Sequence, residues 1–384
     1  MSVPKLRFKE FDGDWNLSTL ANISSIITGN TPSTSNREYY DGEFLFVSPV
    51  DIQENRYIEK TKTTLTANGF SKCRHIPENS VLFVCIGSTI GKVAQNKVIC
   101  ATNQQINAVI PKKGYSSDFL YLQLERLAPN IKLNAGVQAV PLINKTEFGK
   151  TLLNTPTFIE QTKIASFLSA VDEKVSQLTQ KHQLLSQYKQ GMMQKLFNQQ
   201  IRFKADDGSE FDEWTENKFG ECINVFDNLR KPISALERIA GNTPYYGANG
   251  IQSYIDGYTH DGEFVLIAED GANDLINYPI QYVNGKIWVN NHAHVVSGHH
   301  EKIQNKFLKY RLKSLDFTKY LVGGGRAKLN AGAMKEISFS APCLEEQTKI
   351  ADFLSSIDQK IDVVSEQLEQ AKLWKKGLLQ QMFV

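Results

Sequence analysis

The chain carries 384 residues with 43 Lys and Arg against 41 Asp and Glu; the resulting net charge of +2 and a pI near 8.1 exclude recognition of a polyanion through overall charge and leave only local patches. No run of about 18 apolar residues occurs, and the opening MSVPKLRFKEFDGDW lacks the basic-then-apolar pattern of a secretory leader, so a soluble cytoplasmic protein is expected. Five scattered cysteines (Cys73, Cys85, Cys100, Cys222, Cys343) form no Cys-x-x-Cys pair and read as reduced thiols rather than a disulfide or metal framework.

Residues 1–155 open with LRFKEFDGDW at Leu6 and continue as short alternating apolar runs. These predict strands over 44–52, 81–87 and 105–111, followed by a short helix near 117–127, in a mixed and irregular α/β head. Its loops carry Thr31, Ser33, Asn36, Arg37, Gln104 and Gln138. Asn and Gln can pair bidentately with adenine, and Arg or Lys with guanine, so these are candidate base readers. An ordinary solvated loop is the alternative at each position. GSTIGK, from Gly87 to Lys92, hints at a phosphate-cradling loop but has three residues between its glycines and Val93 after the lysine, which breaks the nucleotide-binding pattern. Ser88 and Lys92 are instead candidates for touching a DNA phosphate from a turn, with a purely structural turn as the competing reading.

Residues 156–199 change period. From Pro156 the segment PTFIEQTKIASFLSAVDEKVSQLTQKHQLLSQYKQGMMQKLF places Ile164, Leu168, Val171, Val175, Leu178, His182, Leu185, Lys189, Met192 and Leu196 at alternating steps of four and three. That spacing is a heptad seam along one long helix. Residues 200–341 then restart the plan: IRFKADDGSEFDEW from Ile201, strands over 263–271 and within 282–296, and a helix near 306–314. The candidate readers in this second head are Tyr246, Asn249, Asn273, Asn290, Asn291 and His292. GGGR, Gly323 to Arg326, reads as a flexible loop that carries Arg326 and Lys328 toward phosphate or base. Residues 342–384 repeat the long helix without a gap, as PCLEEQTKIADFLSSIDQKIDVVSEQLEQAKLWKKGLLQQMF. Its seam is Ile350, Leu354, Ile357, Ile361, Val364, Leu368, Ala371, Lys375, Leu378 and Met382.

The chain is therefore written twice, as head, long helix, head, long helix. Two equivalent heptad helices in one polypeptide are at high effective concentration for each other, which predicts an antiparallel intramolecular coiled coil. Helices of about 40 residues are roughly 60 Å long and would act as a spacer between the heads. Three further stretches bear on chemistry. His292, His294, His299 and His300 lack a Cys or carboxylate at zinc-type spacing and read as hydrogen-bonding groups. Glu269, Asp270 and Asp274 could pass for a nuclease's acids, but Lys286 and its surroundings do not complete that pattern. NYPI, Asn277 to Ile280, only faintly echoes an adenine-methyltransferase signature, and no glycine-rich site for a methyl donor accompanies it.

The paired EQTKIA-x-FLS openings, each led by a proline and followed by Asp-x-Lys, resemble the conserved helices of type I restriction-modification specificity subunits. GNTPSTSNREYYDGEFLFVSPVDI, IGSTIGKVA and ATNQQINAVIP are similar to a target recognition domain of that family. YYGANGIQSYIDGYTHDGEFVLIAEDGAN and KIWVNNHAHVV resemble a different subclass of the same domain. The resemblance covers essentially the whole chain. It implies two target recognition domains (1–155 and 200–341) on two conserved helical regions (156–199 and 342–384), with each head reading one half of an asymmetric, split DNA site and the helices setting the gap. It further implies two adenine-methylating modification subunits and, beyond them, restriction subunits. S-adenosylmethionine, ATP and magnesium belong with those partners, and this chain is expected to have no catalytic or metal site.

Overall fold

The computed structural model describes residues 3–53, 55–135, 141–323 and 327–384; the candidates Gln138 and Arg326 lie outside them. The chain divides into two compact units, residues 1–180 with 365–384, and residues 181–364. The long helices, Phe158–Phe197 and Leu344–Gln381, each contribute one end to each unit.

In the first unit the head is closed at its base by an antiparallel ribbon that pairs Asn16–Thr19 with Leu152–Thr155. Above it lie two irregular sheets. One has the strand order 24–28, 106–111, 81–84, 93–96, 57–58, antiparallel except for its last pair, and the other the order 63–65, 40–47, 101–102. The helix Ser117–Leu133 starts where sequence reasoning places it and runs longer. Its inner face, with Phe119, Tyr121 and Leu124, shares one buried cluster with Ile164, Leu168 and Val171 of the first long helix and Leu378, Leu379, Met382 and Phe383 of the second.

The second unit has the same base and a different head. Its ribbon pairs Thr215–Lys218 with Ser338–Ala341, but one six-stranded sheet replaces the two, in the order 223–225, 293–298, 260–268, 280–289, 240–247, 250–255. The strand-forming stretch expected within 282–296 is two strands, Ile280–Val289 and Ala293–Gly298, separated by a turn at residues 290–292. The helix Asn305–Lys313 brings Phe307 and Tyr310 against Leu196 and Phe197 of the first long helix and Ile350, Leu354 and Ile357 of the second.

In both units, then, the beginning of one long helix packs on the end of the other, which is antiparallel pairing. The seam is buried at Ile164, Leu168, Val171, Leu178, Ile350, Leu354, Ile357 and Val364; Val175 and Ile361 are half-buried. The lysines that interrupt the apolar seam have partners. Lys375 Nζ lies 2.8 Å from Asp172 and 2.8 Å from Glu125, and Lys189 Nζ lies 2.5 Å from Asp358. Polar pairs of this kind inside a seam specify register, because a slipped alignment strands a charge.

The start of each long helix is wired in the same way twice. Glu160, 1% exposed, takes both Arg7 Nε and Nη2, at 2.7 and 2.8 Å. Its repeat equivalent Glu346, fully buried, takes Arg202 Nε and Nη2, at 3.2 and 2.7 Å. The neighbouring glutamines turn to the heads: Gln161 Oε1 accepts the backbone N–H of Ser116, and Gln347 Oε1 that of Gln304, both at 2.9 Å. Each capped residue immediately precedes its head helix, so one Glu-Gln pair joins three parts: the arm ahead of the base ribbon (residues 3–15 with Arg7, residues 198–214 with Arg202), the long helix and the rest of the head.

Two outcomes test this packing. Leu354→Ala removes a fully buried seam side chain and lowers stability by about 2–5 kcal/mol, whereas Leu373→Ala, at a 70% exposed position, changes it by less than about 0.5 kcal/mol in urea unfolding. Burial pushes the Asp358 carboxyl upward, but hydrogen bonds from Lys189 and Tyr310 and the charges of Lys309 and Lys189 outweigh it and hold the group below the usual range. Its stabilising share is therefore present above about pH 4 and lost as the pH falls through the depressed value. Thermal unfolding scanned from pH 6 to pH 3 shows a shallower acid decline in Asp358→Asn than in the unsubstituted chain.

Candidate nucleic-acid interface

In the first head the candidate residues gather on loops that leave one end of the five-stranded sheet, beyond Thr28, Val84 and Ile106. Thr31 Oγ1 donates to Gln104 Oε1 at 2.7 Å, which ties the first of these loops to the third. Thr31, Ser33, Arg37, Ser88 and Gln104 are exposed. Asn36 is half-buried, because its side chain caps the turn Arg37–Tyr39 by accepting the N–H of Glu38 at 3.2 Å. Gly87 and Gly91 both have φ of +95°. That left-handed backbone lets the segment between them turn sharply and leaves Ser88 at the surface. Lys92 faces the other way: its Nζ donates to the Ile52 carbonyl at 2.8 Å, so its charge is engaged inside the head. A basic group that sequence reasoning passed over, Arg74, reaches this end through its backbone bond to Asn30 Oδ1 and its guanidinium bond to the Thr28 carbonyl, each 2.7 Å. Only folding brings residue 74 beside residue 30.

The second head joins its candidates by hydrogen bonds. Asn249 Nδ2 donates to the Gly271 carbonyl, and Asn249 Oδ1 accepts from the backbone of Asn273, both at 2.9 Å. The Asn290 N–H reaches the Tyr246 carbonyl at 3.1 Å, and Asn290 Oδ1 accepts the His292 N–H at 2.8 Å. His292 Nδ1 closes on the Asp270 carboxylate. Asn249, Asn273, Asn291 and Lys328 stand exposed and His292 half-exposed, while Tyr246 and Asn290 are buried. The last two sit at strand ends beneath the loops, where Asn290 shapes the turn that presents Asn291.

Below this rim lies a partly buried ionic network centred on His294. His294, 1% exposed, lies 2.5 Å through Nδ1 from Asp227 and 2.8 Å through Nε2 from the Leu329 carbonyl. Glu269 holds Arg230 at 2.7 Å and Lys328 at 2.9 Å. Burial pushes the Asp227 and Glu269 carboxyls upward, yet the His294 hydrogen bond on the first, and those of Arg230 and Lys328 on the second, outweigh it and hold both below the usual carboxylate range. Candidate ligand atoms of Asp227, Glu269 and His294 lie within 4.8 Å of one another, which is a metal-like grouping. Both carboxylates, however, already hold cationic partners. The chemistry of the cluster is that of a brace: it ties the segment carrying Lys328 and Leu329 to the strand ends at Glu269 and His294. The acids that resemble a nuclease centre are dispersed among these duties, and Asp274 accepts the backbone N–H groups of Ile276 and Asn277. Tyr278 of NYPI is buried and stacked on Phe317 at 4.5 Å.

The model of the type I restriction modification DNA specificity domain matches residues 12–187 and again 212–373. Among curated proteins, the chain is 25% identical over 365 residues to the specificity subunit of the Escherichia coli type I restriction enzyme EcoprrI, covering 90% of this chain and 88% of that one. It is 47% identical over 154 residues to a putative type I restriction enzyme specificity subunit of Haemophilus influenzae, but that match spans 40% of this chain and 39% of the relative. A second H. influenzae relative, the HindI specificity subunit, is 30% identical over 196 residues, 42% of its length. In fold, the chain is similar to the S subunit of a type I restriction-modification system from M. genitalium, with a TM-score of 0.71 at 18% identity over 100% of this chain and 99% of the other. A chain solved in work on complex assembly and conformational transition of the type I R-M system gives a TM-score of 0.54 at 16% identity, with 97% and 98% covered. With both halves matched by the same domain on an antiparallel helix pair, the chain belongs to the type I restriction modification DNA specificity family.

Proposed function

We propose that this chain selects DNA for a type I restriction-modification complex and performs none of the covalent steps itself. Each head reads one half of a split, asymmetric site, and the helix pair fixes the unread gap between the halves. The observation that carries this reading is the contrast between the two units: an identical wired base, Arg7–Glu160–Gln161 and Arg202–Glu346–Gln347, bears two heads with different sheets and different polar loops. A repeated frame under unlike readers suits a target whose halves differ. Basic side chains on phosphates would supply salt-sensitive affinity, and the loop amides, hydroxyls and guanidinium groups would supply sequence preference.

The duplicated base also supports two copies of one partner. Beside the first long helix, Phe158, Ile159 and Trp374 are 51%, 72% and 54% exposed, and Phe167 packs edge-on to both Phe8 and Trp374. At the equivalent positions of the second unit stand Leu344 and Tyr188, 38% and 51% exposed, with Phe203 edge-on to Phe353. Exposed apolar side chains gathered in this way are the usual mark of a protein interface. Two modification subunits docked here would bring S-adenosylmethionine and the adenine-methylating, base-flipping chemistry; restriction subunits would bring ATP, magnesium and cleavage.

Mapping methylated adenines across the host genome, with and without this chain, tests the proposal. The expected result is a single bipartite motif that depends on the chain. Asn291→Ala, at an exposed position of the second head, relaxes sequence preference in one half of the motif and leaves the other half unchanged; a good bidentate base contact is worth about 1–3 kcal/mol of discrimination. Methylation or cutting of DNA by the purified chain alone overturns the division of labour.

A further inference from the structure

Both long helices present the same pair of polar side chains to their heads, and the heads answer with unrelated groups. On the first helix the pair is Ser169 and Asp172; at the same repeat positions on the second it is Ser355 and Asp358. A spacing of three places both members on one helix face. In the first unit the answering group is Arg56, 8% exposed. Its Nη1 donates to Ser169 Oγ at 2.7 Å and lies 3.8 Å from Asp172 Oδ2. The remainder of the guanidinium is held within the head, Nε on Gln95 Oε1 at 2.6 Å and Nη2 on Asp118 Oδ1 at 2.5 Å, packed over the Tyr57 and Tyr121 rings. In the second unit Tyr310 Oη donates to Asp358 at 2.6 Å and lies 3.2 Å from Ser355 Oγ, and Lys309 Nζ reaches Asp358 at 3.1 Å.

Resting on the reading above, we propose that Ser169 on the first helix, and Ser355 and Asp358 on the second, are positioning residues that fix the angle of each head on the helix pair and so restrict the complex to one gap length. The two kinds of contact differ in direction. Apolar burial holds a head on its helices but is non-directional, whereas hydrogen bonds weaken steeply as they bend. The apolar cluster therefore supplies adhesion and the Ser-Asp face supplies orientation. A gap longer by one base pair moves a half-site about 3.4 Å along the duplex and turns it by roughly a tenth of a revolution. A head free to lean by that amount would accept the longer site. Arg56 lies on a loop segment of one head and Tyr310 on a helix of the other, so two unrelated heads reach the same face, as a shared demand on orientation requires.

The test is adenine-methylation mapping in cells that contain the modification partner, scored at sites with both half-sequences intact and gaps one base pair shorter or longer. Asp358→Ala raises methylation at those off-gap sites about tenfold, the factor that about 1.4 kcal/mol of lost orientation preference produces. The milder Tyr310→Phe and Ser169→Ala raise it several-fold while thermal unfolding shows each chain folded, and all three retain the half-site sequences. A single gap length preserved in the folded Tyr310→Phe and Ser169→Ala chains overturns the inference, as does loss of preference within a half-site instead of in the gap. If the unsubstituted chain directs no bipartite methylation at all, the proposed function falls, and that result is distinct from either of these.

Discussion

A carboxylate taken almost wholly out of water must be met by a cation and by hydrogen bonds, or the fold loses several kcal/mol. Glu160 and Glu346 are in that position, and the way each is met organises its unit. The bidentate arginine comes from the arm that precedes the head; the adjacent glutamine holds the residue preceding the head helix; the helix that carries both then runs into the apolar seam. Arm, head and spacer are joined at one buried point in each unit, and everything above that point can vary while the point itself does not.

That arrangement explains which features were legible in the residues and which were not. The repeat, the heptad seam and the antiparallel pairing are written in spacing, and spacing survives without coordinates. The lysines at seam positions 189 and 375 look like faults in the pattern until Asp358 and Asp172 are found opposite them. The heads were legible only as mixed α/β. The strand order of the six-stranded sheet depends on pairing between distant segments, and spacing alone does not show where one strand ends and the next begins within residues 282–296. Among the candidate readers, the exposed loop positions Thr31, Gln104, Asn249 and Asn291 lie where their polarity indicates. Tyr246 and Asn290 look the same in sequence and are buried, because strand ends and loop tips share a composition. Arg56, Arg74 and Arg230 are illegible for the converse reason: Ser169, Thr28 and Glu269, which hold them in place, are far away in the chain, and an isolated arginine carries no pattern.

The second head also shows how a polar rim is kept in place. Loops rich in Asn, Gly and Lys have little apolar surface with which to order themselves. Here the ordering comes from beneath, where His294, Asp227, Arg230 and Glu269 interlock and draw in the backbone at Leu329 and the side chain of Lys328. In the first head the same task falls to glycines at φ of +95° and to short hydrogen bonds between neighbouring loops. One base thus carries two different ways of holding a polar rim.

The ribbons at the foot of each head carry a further consequence. Asn16 lies opposite Thr155, and Thr215 opposite Ala341, so the polypeptide enters and leaves each head at neighbouring points. Everything between those strands can therefore be replaced as one unit without re-routing the chain, provided the ends of the replacement pair in the same way. On the proposed reading, an exchange at such a boundary would change the sequence that one head selects and leave the base beneath it intact.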